Sequence, residues 1–210
     1  MSNDLNLNIL PSSQLDLFEL LSNADFISDF YLAGGTGLAL QIGHRQSIDF
    51  DFFIPADFDT RQIIPSIQSL GPFELQSEEK NTLNGILNHV RISFLSYKYS
   101  VLNPFLNYKN IKIAHELDIA AMKLSAISGR GNKKDFIDLF FILKKYSLDT
   151  IFRFYEKKYG KSLSNEYHLI KSLLYFEDAE EQAMPKMTEK VEWERVKADI
   201  VKKVKESKMI

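Results

Sequence analysis

Apolar and polar positions follow two different periods along the chain, and the change between them divides the sequence into two parts. Before about residue 114, short alternating segments predict strands, and amphipathic segments between them predict helices. The predicted helices cover residues 12–21, 38–42 and 61–70, and the predicted strands cover residues 30–33, 47–54, 73–76, 82–87 and 90–97. Pro65 predicts a late start or a kink in the third helix, and Asn84-Gly85 predicts a turn or bulge.

After about residue 114 the apolar residues recur at helical spacing. The predicted helices cover residues 117–128, 135–145, 150–159, 166–179 and 192–204. This order of elements predicts an α+β fold class. We expect an N-terminal α/β core, a mixed sheet with flanking helices, over residues 1–114, and a C-terminal helical domain over residues 115–210.

Two carboxylates interrupt the strand predicted over residues 47–54. Asp49 and Asp51 alternate with Phe50 and Phe52, so a strand would place both acids on one face. Like charges this close raise one pKa unless a cation compensates, and Mg²⁺ bridging to substrate phosphates is a usual solution. The pair therefore predicts a metal site for Mg²⁺, with Mn²⁺ as the alternative metal. The other interpretation is a half-exposed strand that alternates apolar and charged residues.

Gly34-Gly35-Thr36 stands just before the helix predicted over residues 38–42. Without β-carbons the backbone can approach a ligand closely, and N–H groups at a helix start can hold a phosphate. The segment therefore predicts a phosphate-binding turn. The alternative is an ordinary turn, since glycine first of all permits turn geometry.

The net charge of −2 conceals an uneven distribution. Residues 1–104 carry 5 Lys and Arg against 12 Asp and Glu, whereas residues 105–165 carry 12 against 6. A polyanion would be attracted to the basic segment if its cations share a face. For the later lysines we favour a solvated helical surface. The cations concerned are Lys123, Arg130, Lys133, Lys134, Lys144, Lys145, Lys157, Lys158 and Lys161.

Lys123 lies within an apolar helical segment, where a lysine is costly unless it faces an anion. The alternative is a lysine that extends from the helix rim to solvent. Arg130, in the Gly-Arg-Gly break, presents the paired donors that suit phosphate. Asp135 and Asp138 share one face of the next helix, although Asp135 could instead stabilise the helix dipole.

Three ordered blocks resemble a known family. The stretch YLAGGTGLALQIGHRQSIDFDFF carries the Gly-Gly and Asp-apolar-Asp pattern of polymerase-β-like nucleotidyltransferases, and more narrowly resembles the AbiEii/AbiGii-type nucleotidyltransferase toxins. HELDIAAMKLSAISGRGNKKDFIDLF is similar to the second motif of that family, and YFEDAEEQAMPKM with Trp193 to its C-terminal segment. The resemblance covers about residues 31–204.

The resemblance implies a polymerase-β-like sheet followed by a helical bundle that completes the active site. It implies Mg²⁺-dependent transfer of a nucleotide from an NTP to RNA, plausibly the 3′ end of a tRNA. The protein would be the toxin of a toxin–antitoxin or abortive-infection (phage defence) system with a cognate antitoxin. The implied catalytic residues are Asp49, Asp51, Lys123 and Asp135, with Asp49 and Asp51 as the metal ligands. The implied nucleotide-binding residues are Gly34, Gly35, Thr36, Arg45, Ser47, Lys123, Arg130, Lys134 and Asp138.

One position departs from the wider superfamily, whose enzymes commonly supply a third carboxylate from a later strand. The corresponding strand here offers Ser93, which is a poor Mg²⁺ ligand and a poor base. Members of the toxin family often lack this acid as well. Glu116, Asp118 and Asp135 are the candidates to replace it.

Two other functions stay open at this point. One is transfer of a nucleotide to a small hydroxylated molecule, and the other is a nucleotide-binding regulatory module with a degraded site. The absence of cysteine excludes disulfides and thiolate zinc sites. No signal peptide is evident, and no apolar run approaches the roughly 20 residues that span a bilayer. We expect a cytoplasmic protein that does not enter a membrane.

Overall fold

A computed structural model of the protein describes residues 5–161 and 165–208. The chain divides into two compact units, of which the first ends at His115 and the second begins at Glu116. No helix among the described residues is long and apolar enough to cross a membrane.

The first unit contains three α-helices and seven strands within its described residues. They are α1 (Ser12–Ser22), β1 (Tyr31–Leu32), α2 (Gly34–Ile42), β2 (Phe50–Ile54), α3 (Thr60–Gln68), β3 (Phe73–Glu79), β4 (Thr82–Leu87), β5 (Val90–Ser96), β6 (Leu106–Tyr108) and β7 (Ile111–Ile113). Short 3-10 turns cover Leu7–Ile9 and Asp25–Asp29.

The strands form one mixed sheet in the order β3-β4-β5-β2-β1-β7-β6. β2 lies in the middle, antiparallel to β1 and parallel to β5. In this register Asp51 stands opposite Ser93. The predicted fold class is confirmed: a mixed sheet with flanking helices is followed by a helical second unit.

The core lies on one face of this sheet, because buried and half-buried side chains alternate over the first three residues of β2. Phe50 and Phe52 are fully buried, while Asp51 between them projects to the opposite face. Phe52 stacks on Phe94 of β5 with ring centroids 5.5 Å apart, and Phe50 stacks on Phe18 of α1 at 6.0 Å. Burial of these rings fixes the register of β2, and with it the face on which Asp51 stands.

Two boundaries near the acid pair differ from the predictions. Helix α2 begins at Gly34, so the glycines form its first turn rather than a separate turn before it. β2 begins at Phe50, so the prediction that Asp49 also lies within the strand is wrong. The reason is local: the main-chain carbonyl of Asp49 is hydrogen-bonded by the Thr36 side chain.

The remaining differences concern short or interrupted elements. The hairpin of β6 and β7 was not predicted, since three-residue strands carry too little alternation. Helix α3 includes Pro65 and starts before the predicted residue 61, because Asp59 caps it through the main-chain N–H of Arg61. A bulge was predicted at Asn84-Gly85 of β4, but the extra residue lies in the paired strand: Leu75 stands opposite Gly85 and Ser77 opposite Asn84, so β3 carries the bulge at Gln76.

The second unit is helical. Its helices are α4 (Glu116–Gly129), α5 (Lys133–Ile142), α6 (Leu148–Tyr159), α7 (Glu166–Leu173), α8 (Glu177–Glu180) and α9 (Trp193–Glu206). α4 packs against α5, α6 and α7, and α5 also packs against α9. One long helix over residues 166–179 was predicted, but α7 ends at Leu173. Phe176, just beyond it, packs on Phe136 and Trp193, and this contact redirects the chain.

Candidate active site

The start of α2 is built around close approach to Asp51. Gly34 has φ +63°, a backbone conformation that glycine adopts without strain. A β-carbon at Gly34 would lie 2.8 Å from Oδ2 of Asp51, so a side chain there would displace the carboxylate. The main-chain N–H of Ala33 donates to the carbonyl of Asp51 at 3.1 Å. The glycine therefore permits the carboxylate to stand against the helix start.

Thr36 connects the helix start to the segment that leads into β2. Its Oγ1 lies 2.8 Å from Oγ of Ser47 and also hydrogen-bonds the main-chain carbonyl of Asp49. Thr36 and Ser47 are both buried. Since Asp49 lies outside the strand, this side-chain bond holds its backbone where a ladder bond would otherwise do so.

Arg45 places a buried positive charge beside the same helix start. Its side chain packs against Gly35 so closely that a β-carbon there would collide with Nη2. Nη1 of Arg45 donates to the carbonyl of Gln46 at 3.0 Å. The first unit thus brings together the predicted site residues Gly34, Gly35, Thr36, Arg45, Ser47, Asp49 and Asp51.

The donor set at this site suits Mg²⁺. Among the described residues, no group of three or more Asp, Glu, His or Cys side chains could hold a metal ion. Ser93 stands opposite Asp51 where a third acid was sought. Mg²⁺ is usually bound by one or two carboxylates while it keeps several waters and contacts substrate phosphates. Asp49 and Asp51 are the carboxylates that could hold such an ion, and Asp51 stands beside the helix start where a phosphate could also bind.

The helical unit carries a separate charged cluster at the junction of α4 and α5. Nζ of Lys123 lies 2.8 Å from Oδ1 of Asp135 and 2.6 Å from Oδ2 of Asp138. Nε of Arg130 lies 3.0 Å from Oδ2 of Asp135. Lys123 and both carboxylates are buried, whereas the Arg130 side chain is 58% exposed. Four predicted site residues therefore meet here.

Asp135 keeps its charge in this cluster. Burial raises the pKa of a carboxyl group, but the ammonium of Lys123 and the guanidinium of Arg130 outweigh burial and hold the pKa of Asp135 below its ordinary value of 3.8. The Asp135 carboxylate is therefore ionised at neutral pH. Lys134, also a predicted site residue, is exposed on α5 beside it.

The cations of residues 105–165 do not form one open basic surface. Lys123, Lys133 and Lys158 are buried. Lys144 pairs with Glu189 at 2.8 Å, and Lys145 pairs with Glu116 at 2.7 Å. Their charges are largely balanced within the helical unit itself.

Each acid considered as a replacement for the third carboxylate already has a cationic partner. Glu116 accepts hydrogen bonds from Lys145 at 2.7 Å and from the Tyr146 hydroxyl at 2.5 Å. Asp118 pairs with Lys158 at 3.1 Å, and both side chains are almost completely buried. Asp135 pairs with Lys123, as described above.

The Lys158–Asp118 pair was missed because Lys158 was read as a solvated surface charge. A signal for its burial was present in the sequence. Ile151 and Tyr155 are buried on α6 at spacings that continue to Lys158, so helical periodicity places this lysine on the packed face.

The sheet, its acid-bearing strand and the glycine helix start define a nucleotidyltransferase fold, and solved structures agree. JHP933 from Helicobacter pylori matches with a TM-score of 0.56 at 16% identity, covering 93% of this chain and 92% of that one. A second H. pylori structure, described as a proposed nucleotidyltransferase, matches with a TM-score of 0.56 at 15% identity over 93% and 94% of the two chains. At such identities these matches show the fold alone.

Sequence comparison identifies the family. Residues 15–103 match the family model described as "Nucleotidyl transferase AbiEii toxin, Type IV TA system". The protein aq_aa25 of Aquifex aeolicus (strain VF5), described as uncharacterized, is 39% identical over an alignment of 209 residues that covers 94% of this chain and 97% of the relative. Residues 15–103 therefore belong to the AbiEii nucleotidyltransferase toxin family, which confirms the resemblance drawn from the first motif, while the resemblance of the later blocks stays a prediction.

Proposed function

We propose that this protein transfers a nucleoside monophosphate from an NTP to a hydroxyl of an RNA acceptor, with release of pyrophosphate, in a Mg²⁺-dependent reaction, and that it acts as the toxin of a toxin–antitoxin pair in the cytoplasm. One observation carries the catalytic part: the Asp51 carboxylate stands against the glycine start of α2. A metal-binding acid and a phosphate-binding helix start therefore lie side by side. Family membership supports the same reaction class.

In this proposal the first unit binds the reacting phosphates. Main-chain N–H groups of the first turn of α2 have no partner within the helix and can donate to phosphate oxygens. Arg45 adds a positive charge beside Gly35, because the absence of a β-carbon at Gly35 lets the guanidinium lie against the helix start. Thr36 and Ser47 hold the segment before β2 in place and keep Asp49 near Asp51.

Asp49 and Asp51 would hold Mg²⁺, which when bound stabilises the charge that develops on the transferred phosphoryl group. Asp51 has a fixed orientation because β2 is the central strand and its neighbours on both sides are buried. Asp49 has a fixed backbone but lies outside the strand, so its side chain has more freedom to adjust to the metal.

The proposed contribution of the helical unit is charge. Arg130 is exposed while Asp135 holds its Nε, so the guanidinium is oriented before a phosphate arrives. Lys123 sits between Asp135 and Asp138 and holds the two carboxylates in position. That residues 115–210 complete the active site stays a prediction, as does a direct role for Lys123 or Lys134 in nucleotide binding.

Ser93 favours a second candidate function, a module that binds nucleotides without turning them over. It stands opposite Asp51 in place of an acid. Nucleotide transfer to a small hydroxylated molecule stays a further prediction.

One experiment separates the three functions. Each radiolabelled NTP is incubated with the protein and Mg²⁺, together with total RNA or with a panel of small hydroxylated compounds. We expect label in RNA, no label without Mg²⁺, and partial replacement of Mg²⁺ by Mn²⁺. Label only in the small compounds, or NTP binding without any transfer, would reject the RNA proposal. Expression of the protein in cells with and without the product of each adjacent gene tests the antitoxin: we expect one such product to relieve growth arrest.

A further inference from the structure

A cavity of about 310 Å³ opens in the helical unit between the end of α4 and helix α7. Small-molecule sites begin at about this size. The residues that carry its chemistry are Arg130, His168, Lys171, Ser172, Tyr175 and Asp178. Apart from Arg130, none of these belongs to the predicted site.

The cavity wall combines cations with groups that are held in position. Arg130 is oriented by Asp135, with Nε 3.0 Å and Nη2 3.4 Å from its two carboxylate oxygens. The ring of His168 is tied to the end of α4, with Nε2 3.3 Å from the carbonyl of Ser128. Lys171 lies one turn after His168 on α7 and is exposed. A phosphate here would meet the side chains of Arg130 and Lys171.

Exposed aromatic side chains flank these cations. Tyr175 is 47% exposed, and its hydroxyl donates to Glu177 at 3.0 Å, which fixes the ring at the edge of the cavity. Tyr167 is 77% exposed on α7, one turn before Lys171. Aromatic rings beside cations form the stacking surfaces on which single-stranded nucleic acids bind, because every base has a face that can stack.

The acidic and hydroxyl groups of the cavity favour RNA over DNA. Asp178 supplies an acceptor to the lining, and the Ser172 hydroxyl donates to the carbonyl of His168 at 2.8 Å, which leaves its oxygen as an acceptor. A ribose 2′-hydroxyl can donate to either group, and deoxyribose cannot. A carboxylate in a cavity for phosphate alone would be unfavourable, so its presence points to a ligand with hydroxyl or amine donors.

We propose that this cavity binds one nucleotide of the single-stranded RNA acceptor, with its base on Tyr175, its phosphate on Arg130 and Lys171, and its ribose facing Asp178. This inference rests on the proposed function, since it assigns a subsite to the acceptor of that reaction. It adds Lys171, Tyr175 and Asp178 to the residues that recognise substrate.

The test measures RNA binding directly, without NTP or metal. A short 5′-labelled single-stranded RNA is titrated with the protein, and fluorescence anisotropy is followed at several salt concentrations. We expect Lys171→Gln to weaken binding about fivefold at 0.1 M salt and to lower the salt slope by about 0.7, the value for one lost single-strand phosphate contact. The matched control is Lys202→Gln, which removes an exposed lysine of α9 and should change neither quantity.

Variants of Tyr175 provide an independent test of the same proposal. Tyr175→Ala should weaken RNA binding about tenfold, within the range for loss of one base stack, whereas Tyr175→Phe should retain it. DNA of the same sequence should bind more weakly than RNA to the wild type, and Asp178→Ala should reduce that difference.

The results distinguish this inference from the proposed function. If Lys171→Gln behaves like Lys202→Gln and Tyr175→Ala binds like the wild type, the cavity is not an RNA subsite, even when the wild type labels RNA. Preferential binding of an anionic protein or of a phospholipid vesicle over RNA would also overturn it. If RNA binding depends on these residues but no transfer occurs, the inference stands and the catalytic proposal fails.

Discussion

Asp51 owes its position in the site to the backbone that faces it. Gly34 has a left-handed conformation and no side chain, so the carboxylate can stand 2.8 Å from where a β-carbon would be. Gly43, at the other end of α2, has nearly the same φ, +67° against +63°. A β-carbon at Gly43 would instead meet Asn6 at 3.0 Å, away from the site residues. Substitution of Gly43 would therefore strain the backbone without displacing Asp51, whereas substitution of Gly34 would do both.

Gly34→Ala and Gly43→Ala should each reduce the free energy of unfolding by about 1–2 kcal/mol, the cost of a β-carbon in the left-handed region. Only Gly34→Ala should also reduce nucleotide transfer, by about 100-fold, since displacing a reacting group by about 1 Å can cost that much. Urea unfolding and the transfer assay measure the two effects. Equal nucleotide transfer by both variants would mean that catalysis does not require the Asp51 carboxylate to lie against the backbone of residue 34.

Part of this site was predictable from the sequence because its members are close along the chain. Gly34 and Thr36 belong to a helix, and Asp51 belongs to the strand that follows it. The short connection between the two elements keeps these residues close together. The packing of Arg45 on Gly35 and the bond from Thr36 to the Asp49 carbonyl were not predictable as contacts. Both involve the backbone, which leaves no pattern in side-chain type.

At the scale of elements, a buried ion pair joins α4 to α6. Lys158 and Asp118 lie 3.1 Å apart, and each side chain is only 1% exposed. Burial lowers the pKa of Lys158, while Asp118 acts in the opposite direction. A buried pair of this kind contributes little net stability compared with apolar residues, but the loss of one partner leaves a charge in a dry environment.

Lys158→Met should therefore destabilise the protein by about 3–5 kcal/mol. The neighbouring Lys157→Met should change stability by less than about 0.5 kcal/mol, because Lys157 is exposed on the same helix. The double variant Lys158→Met/Asp118→Leu should recover most of the loss, since no buried charge remains. Urea unfolding of the four proteins gives these differences. A double variant no more stable than Lys158→Met would contradict this account of the pair.

Elements with strong local signals were predicted well, and those fixed by distant partners were not. The strand Thr82–Leu87 has its predicted bounds, because alternation and the two-residue turn at Asn88-His89, both at positive φ, act locally. β7 exists because it pairs in parallel with β1, some eighty residues earlier. The early end of α7 depends on Phe176 reaching Phe136 and Trp193. Neither contact can be inferred from the residues next to each element, because the partners are far apart in the sequence.

At the scale of the whole molecule, the charges separate into an acidic N-terminal part and a basic middle segment, and several basic side chains of that segment form local ion pairs. The Asp135 network is the most deeply buried of these arrangements outside the Lys158 pair. Because the pKa of Asp135 is lowered in the folded protein, its carboxylate stabilises the fold above the ordinary value of 3.8. That contribution is lost as the pH falls through the folded-state pKa.

Asp135→Asn should consequently be less stable than the wild type by about 3–5 kcal/mol at pH 7, since it leaves Lys123 with one carboxylate fewer. The difference should shrink as the pH falls below about 3.8, because the Asp135 carboxyl group then becomes protonated in the unfolded wild-type chain while the folded protein still keeps it ionised. Urea unfolding at pH 7 and at pH 3 measures it. If the difference in the free energy of unfolding is the same at both pH values, the neighbouring cations do not lower the pKa of Asp135.

The most direct test of the central claim is transfer of a labelled nucleotide to RNA by three proteins: the wild type, Asp51→Asn and Asp16→Asn. Asp16 is an exposed acid on α1 and controls for the loss of one charge in the same unit. We predict that Mg²⁺-dependent labelling is unchanged in Asp16→Asn and falls at least about 100-fold in Asp51→Asn, while both variants stay folded. Labelling that survives Asp51→Asn at the wild-type rate would contradict the assignment of this site as the catalytic centre.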